Sequence, residues 1–201
     1  FGAGAYCARN DGGKRHPTLD LFWHPLRDPQ APRRMNGSAQ SRIVESYDYT
    51  DEAGNLLFQV VRKEPKAFLQ RRPDGAGGWV WKLDGVEPVL YRLPEIGSAV
   101  AAGDPVYICE GEKDADAVRA AGMPATTNPG GAGKWRSTYA GLLRNAADVR
   151  VVADRDPAGY QHAAHVAAAL RAVGAAVRVF EARKGKDVSD HLAAGLKLED
   201  L

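Results

Sequence analysis

Acidic residues recur just after the apolar runs in the second half of this chain. EGEKD at 110–114 follows VYIC, DRDPAG at 154–159 follows VRVVA, and KGKDVSD at 184–190 comes soon after VRVF. Together they supply Glu110, Asp114, Asp154, Asp156, Asp187 and Asp190. Two like charges ~4 Å apart repel by about 4 kcal/mol at an effective dielectric of ~20. Carboxylates gathered on one rim must therefore take up protons or hold a cation. Hard oxygen donors suit Mg²⁺ or Mn²⁺, ions that keep waters and recruit phosphate oxygens. Gly111 and Gly159 keep the backbone bare beside the acids, leaving room for a bulky substrate.

The elements that must position these residues alternate strand, loop and helix from Pro105 onward, the rhythm of βαβ units around a parallel sheet. Strands are expected at 106–109, 124–127, 149–153 and 177–180. Helices are expected at 113–121, 136–144, 158–173 and 188–194. Strands buried on both faces read as nearly continuous apolar runs, as VYIC and VRVVA do. In open parallel sheets the ligand site lies beyond the carboxyl ends of the strands, where the acidic segments stand. Before this unit, residues 43–92 alternate as strands punctuated by DEAGN at 51–55 and PDGAGG at 73–78, an antiparallel meander, and 94–103 reads as a short helix and linker. Residues 1–42 carry seven Lys and Arg against three Asp and read as a basic, loop-rich segment. The division is thus 1–42, a β-rich subdomain at 43–103, and an α/β domain at 104–201.

Composition narrows the function classes. With 201 residues, 44% hydrophobic and 26% charged, the chain matches globular averages and is neither a disordered tail nor a coiled coil. No apolar run approaches the ~18 residues of a membrane span, and no signal peptide opens the chain, so a cytoplasmic location is expected. A chain beginning at Phe1 is expected to be a fragment. Cys7 and Cys109 are too few for a disulfide framework, and Cys7 with His16 and His24 lacks the spacing of a structural zinc site. The net charge of +2 argues against nucleic acid only until it is divided by region. Arg62, Lys63, Lys66, Arg71 and Arg72 set five cations against Glu64 within eleven residues, a strip suited to phosphate backbones. Trp79 and Trp81 lie two apart on one strand and share a face, where they could stack on bases or pack into a core.

EGEKDADAV, DRDPAG and GKDVSDHL, in this order and each after a strand, resemble the Toprim domain of primases, topoisomerases, small nucleases and recombination proteins over residues 104–195. The resemblance implies a Toprim-type parallel sheet flanked by helices. It makes Glu110 the general base or acid of nucleotidyl transfer, Asp154 and Asp156 the metal-binding pair, Asp114 the acid that follows the glutamate in primases, and Asp187 with Asp190 the later acidic motif. Two residues separate these last aspartates where bacterial primases have one. The meander likewise resembles the stretch preceding Toprim in primase-like proteins of phages, plasmids and actinobacterial mobile elements, which makes it a template-binding subdomain.

Several positions have plainer readings. Glu112 and Asp116 read as solvated charges favoured near a helix start. The basic strip reads equally as a solvated strand edge that blocks aggregation. GGAGK at 130–134 is no Walker motif, since Asn128 and Trp135 stand where Gly and Ser or Thr are needed, though Lys134 and Arg136 beside bare amides suit a phosphate. His162 and His165 read as packing or surface residues. The function expected is Mg²⁺- or Mn²⁺-dependent primer synthesis on single-stranded DNA from nucleoside triphosphates, with Lys113 also contacting nucleotide and a helicase or other replication domain as partner. A Toprim nuclease and a non-catalytic nucleic-acid-binding module are the alternatives. Neither a helicase motor nor a primase-type zinc module is visible in the sequence, and 201 residues leave no room for strand-passage domains.

Overall fold

A computed structural model describes residues 41–201, all of which fall within one compact unit. The basic segment expected over 1–42, with Cys7, His16 and His24, lies outside the described residues apart from positions 41 and 42.

Strands β1 (Arg42–Thr50), β2 (Leu56–Glu64), β3 (Ala67–Pro73) and β4 (Trp79–Val80) form an antiparallel sheet in sequential order. Its first turn forms because Asp51 accepts hydrogen bonds from the amides of Ala53 and Asn55 through one carboxylate oxygen, with Gly54 at φ 87°. Along β1 and β2 the period of two sends Tyr47, Tyr49, Phe58 and Val60 to one face, all buried. The fourth strand ends at Val80, so Trp81 lies just beyond it rather than on one strand with Trp79 as expected.

A helix, α1 (Leu93–Ala102), leads into β5 (Val106–Ile108), α2 (Glu112–Ala120), β6 (Ala125–Thr126), α3 (Ser137–Leu142), β7 (Val149–Ala153), α4 (Pro157–Ala172), β8 (Val177–Glu181) and α5 (Val188–Ala193). The four strands pair in parallel in the order β6-β5-β7-β8. The α/β architecture with a preceding antiparallel subdomain is therefore as expected. Each face of the parallel sheet has its own core. Val106, Ile108, Val149 and Val151 pack with residues of α1, α3 and α4, among them Ile96, Tyr139, Val166 and Leu170. On the opposite face Tyr107, Cys109 and Val152 pack with Val118 of α2, Val188 of α5 and the buried side chains of the meander. The meander thus forms a second layer over the parallel sheet.

One polar contact is locked into that junction. The Tyr49 hydroxyl donates to Glu112 Oε1 at 2.8 Å, and both residues are buried. Tyr49 stacks on Phe58 at 4.5 Å between ring centroids. Glu112 is therefore not the solvated helix-start charge expected, because the meander covers it. Asp116 is likewise partnered: the Arg92 guanidinium donates to its Oδ1 at 2.7 and 3.0 Å. Tyr49→Phe, which strands a buried carboxylate without its donor, is expected to destabilise the fold by about 1–3 kcal/mol. Glu112→Gln, which keeps an acceptor and removes a desolvated charge, should cost far less. Urea unfolding of the two variants checks the contrast.

Candidate active site

A cleft of about 430 Å³ opens where the carboxyl ends of β5 and β7 meet the meander. Glu110 and Asp114 reach it from the segment after β5, Asp154 from the end of β7, and Lys186 and Asp187 from the loop after β8. Arg62, Lys66 and Phe68 line the meander side.

The carboxylates are not equivalent. Glu110 Oε2 is buried and has no hydrogen-bond partner. Burial first, then repulsion from Asp156, raises its proton affinity above the usual carboxylate range. Asp154 is 9% exposed, and burial followed by Glu110 and Asp114 pushes its pKa up to about 6. Asp156 behaves oppositely. Its side chain caps α4 by accepting from the Gly159 amide at 2.8 Å, and this bond, then the Lys186 ammonium, holds it below the ordinary range.

Among the described residues, no three His, Cys, Asp or Glu side chains stand close enough together to share a metal ion. The other three acids suggested by sequence are each held by hydrogen bonds of their own. Asp114 accepts from the Ser189 hydroxyl and amide, tying α2 to α5. Asp187 caps α5 by accepting from the Asp190 amide at 2.7 Å, with Lys113 Nζ 4.0 Å away. Asp190 turns back to accept from the Lys186 amide at 2.8 Å. What remains for a cation is the pair Asp154 and Asp156. Their Oδ2 atoms already share one, the Lys186 ammonium, at 3.4 and 2.9 Å. That arrangement fits Mg²⁺ or Mn²⁺, because magnesium is typically held by one or two carboxylates with waters and substrate phosphates completing the shell.

Lys186 was not singled out by sequence, where a lysine after a glycine reads as an ordinary solvated turn. Conversely, the basic strip is not one surface. It lies on β2, which is interior to the sheet, on the following turn, and on β3, which β4 covers only at Arg72 and Pro73. Arg62 and Lys66 face the cleft. Arg71 instead lies over the Trp79 and Trp81 rings at 4.0 and 5.4 Å, and Lys63 over Trp81 at 4.7 Å. Arg72 donates to the Pro73 carbonyl. The two tryptophans are 36% and 45% exposed, so they are not core residues. Gly130 and Gly131 line the cleft, but Lys134 and Arg136 do not, and Arg136 pairs with Glu87 at 3.2 Å. Trp135 is buried against Tyr139, and buried His162 accepts from the Gly133 amide, the packing role expected for it.

Residues 105–197 match the Toprim domain. No curated protein sequence matches the chain. Among solved structures, the Escherichia coli primase catalytic core is similar at 21% identity and TM-score 0.56, over 77% of this chain and 49% of that one. The DnaG primase catalytic domain bound to single-stranded DNA gives the same values. The Aquifex aeolicus primase, comprising zinc-binding and RNA polymerase domains, is similar at 18% identity and TM-score 0.58, over 74% of this chain and 36% of that one. The chain spans half or less of these structures, and at such identities the likeness is one of fold.

The bare backbone at Gly159 is structurally required, because a Cβ there would stand 2.4 Å from the Asp154 carbonyl oxygen and 2.6 Å from Asp154 Cβ. Gly159→Ala is therefore expected to destabilise by about 1–3 kcal/mol through overpacking. Gly141→Ala in α3, where a Cβ meets nothing within 4 Å, should be neutral or stabilising by up to about 1 kcal/mol. Chemical denaturation of both variants reads the difference.

Proposed function

Because the chain carries a Toprim domain at residues 105–197 on the fold of primase catalytic cores, we propose that it joins nucleotides into primers on a single-stranded DNA template by divalent-metal-dependent nucleotidyl transfer. The observation that carries this reading is Glu110 Oε2, a buried acceptor without a partner in the cleft that also holds Asp154. A carboxylate with raised proton affinity is suited to take the proton from an attacking 3′ hydroxyl. Asp154 and Asp156 would hold the ion. Bound Mg²⁺ or Mn²⁺ supplies positive charge to the phosphate oxygens of the incoming nucleoside triphosphate. Arg62, Lys66 and Lys113 on the cleft walls attract the phosphates of template and nucleotide.

Away from the cleft, Trp79 and Trp81 offer partly exposed rings held by Arg71, a platform for template bases. A similar fold bound to single-stranded DNA supports a single-stranded template. A helicase or other replication domain is the partner this role calls for. Among the described residues no helix is long and apolar enough to cross a membrane, in keeping with a cytoplasmic replication role.

Incubating the chain with single-stranded DNA, labelled nucleoside triphosphates and Mg²⁺ or Mn²⁺ tests the chemistry. New oligonucleotides are expected, with Glu110→Gln lowering their yield by about 10²-fold or more. Shortened DNA would instead identify a nuclease, and neither product in either metal a binding module. Alanine at both Trp79 and Trp81 is expected to weaken single-stranded DNA binding by roughly tenfold or more. Unchanged affinity in a fluorescence titration would remove the stacking role.

A further inference from the structure

The loop between β8 and α5 is built to present one side chain. Gly185 sits at φ 75°, and a Cβ on it would stand 2.1 Å from Asp190 Cβ, so no other residue fits the turn. The next residue, Lys186, is anchored at both ends of its peptide backbone. Its amide donates to Asp190 Oδ2 at 2.8 Å, and its carbonyl accepts from the Arg155 amide at 2.8 Å, inside the loop that carries Asp154 and Asp156. The root of the side chain is thus fixed to the acidic loop, while the side chain itself is 55% exposed.

From that root the ammonium reaches Asp156 Oδ2 at 2.9 Å and Asp154 Oδ2 at 3.4 Å. Among the described residues it is the sole cation within 4.0 Å of either carboxylate. Asp154 has only this partner to offset its burial beside Glu110 and Asp114. The oxygens that Lys186 occupies are the same ones a divalent ion would need. Such an ion takes its ligands at ~2.1 Å, so an ion drawing on those oxygens would bring its charge close to the ammonium's and compete with it for them.

We propose that Lys186 is a resident counter-cation of the Asp154–Asp156 pair, which holds the site together before metal arrives and is displaced by the metal. The inference rests on the proposed metal site. A lysine suits the task because its charge is compact, strongly hydrated and carried on a flexible four-carbon stem. Once displaced, the ammonium remains rooted at the cleft wall, where the phosphates of an incoming nucleoside triphosphate are its natural partners. Metal binding and nucleotide binding thereby become coupled: the first frees the group that serves the second. The occupied state also lowers the apparent affinity for metal, in the way any competing conformation does.

Mn²⁺ titrations of the whole chain, followed by electron paramagnetic resonance of the free ion, separate the two layers of the reading. Lys186→Met and Lys186→Gln are each expected to bind Mn²⁺ roughly tenfold more tightly than the parent chain. Lys186→Arg should stay near the parent value. With Mn²⁺ saturating, Lys186→Met should bind a non-hydrolysable nucleoside triphosphate more weakly. General damage to the fold would loosen the metal, so tightening is not a symptom of misfolding. Asp154→Asn should lose Mn²⁺ binding; if it does not, the metal site itself is wrong. If Asp154→Asn loses the ion while both neutral replacements of Lys186 bind Mn²⁺ no more tightly than the parent, the counter-cation role is overturned.

Discussion

Carboxylates held close together in a partly desolvated cleft are the central constraint on this molecule. Glu110, Asp114 and Asp154 repel one another, and burial raises the proton affinity of each. A set of this kind persists only if the backbone holds it and if each member has a hydrogen bond or a cation to answer to. The parallel sheet supplies the first condition: β5 and β7 lie side by side with Ile108 opposite Val151, and β7 runs only two residues further, so the residues after them meet whatever their charge. Ser189 and Lys186, both from the loop and helix after β8, supply much of the second. Glu110 Oε2 is the exception, and an unanswered acceptor there is what gives the site its chemical bias.

The same logic explains why the acids of the third motif are tied to the backbone even where, as at Asp187, they line the cleft. Asp187 and Asp190 occupy the cap and third positions of α5, where a side chain that accepts from a backbone amide is worth about 1 kcal/mol. Asp156 does double duty, capping α4 while meeting the ammonium. Helix starts and charge clusters compete for the same residues here, and the geometry distributes them between the two tasks.

Much of this was legible from sequence. VRVVA at 149–153 declared itself as a buried strand because it is apolar nearly throughout, and Glu110 and Asp154 stood out because they follow such strands. The division of the basic strip was also there to be read, since adjacent strand residues such as Arg62 and Lys63 must face opposite sides. Other features depend on distant partners. Glu112 is buried by Tyr49, 63 residues earlier, and nothing near Glu112 signals that. The importance of Lys186 arises from where a tight turn aims its stem, a property of three-dimensional placement. Asp190 lay between these cases: its spacing of three from Asp187 is a capping pattern.

The aromatic layer over the parallel sheet bears on what can be exchanged in evolution or by engineering. Residues 105–197 are the part with a family likeness. Yet one whole face of that sheet, with Tyr107, Cys109 and Val152, is roofed by Tyr47, Tyr49, Phe58 and Val60 from the meander. A segment cut at the family boundary would carry away the cleft acids with an uncovered apolar face and an unsatisfied glutamate. The transferable module in this chain is accordingly larger than the recognisable one, and a chimera would have to cross over before β1 rather than before β5.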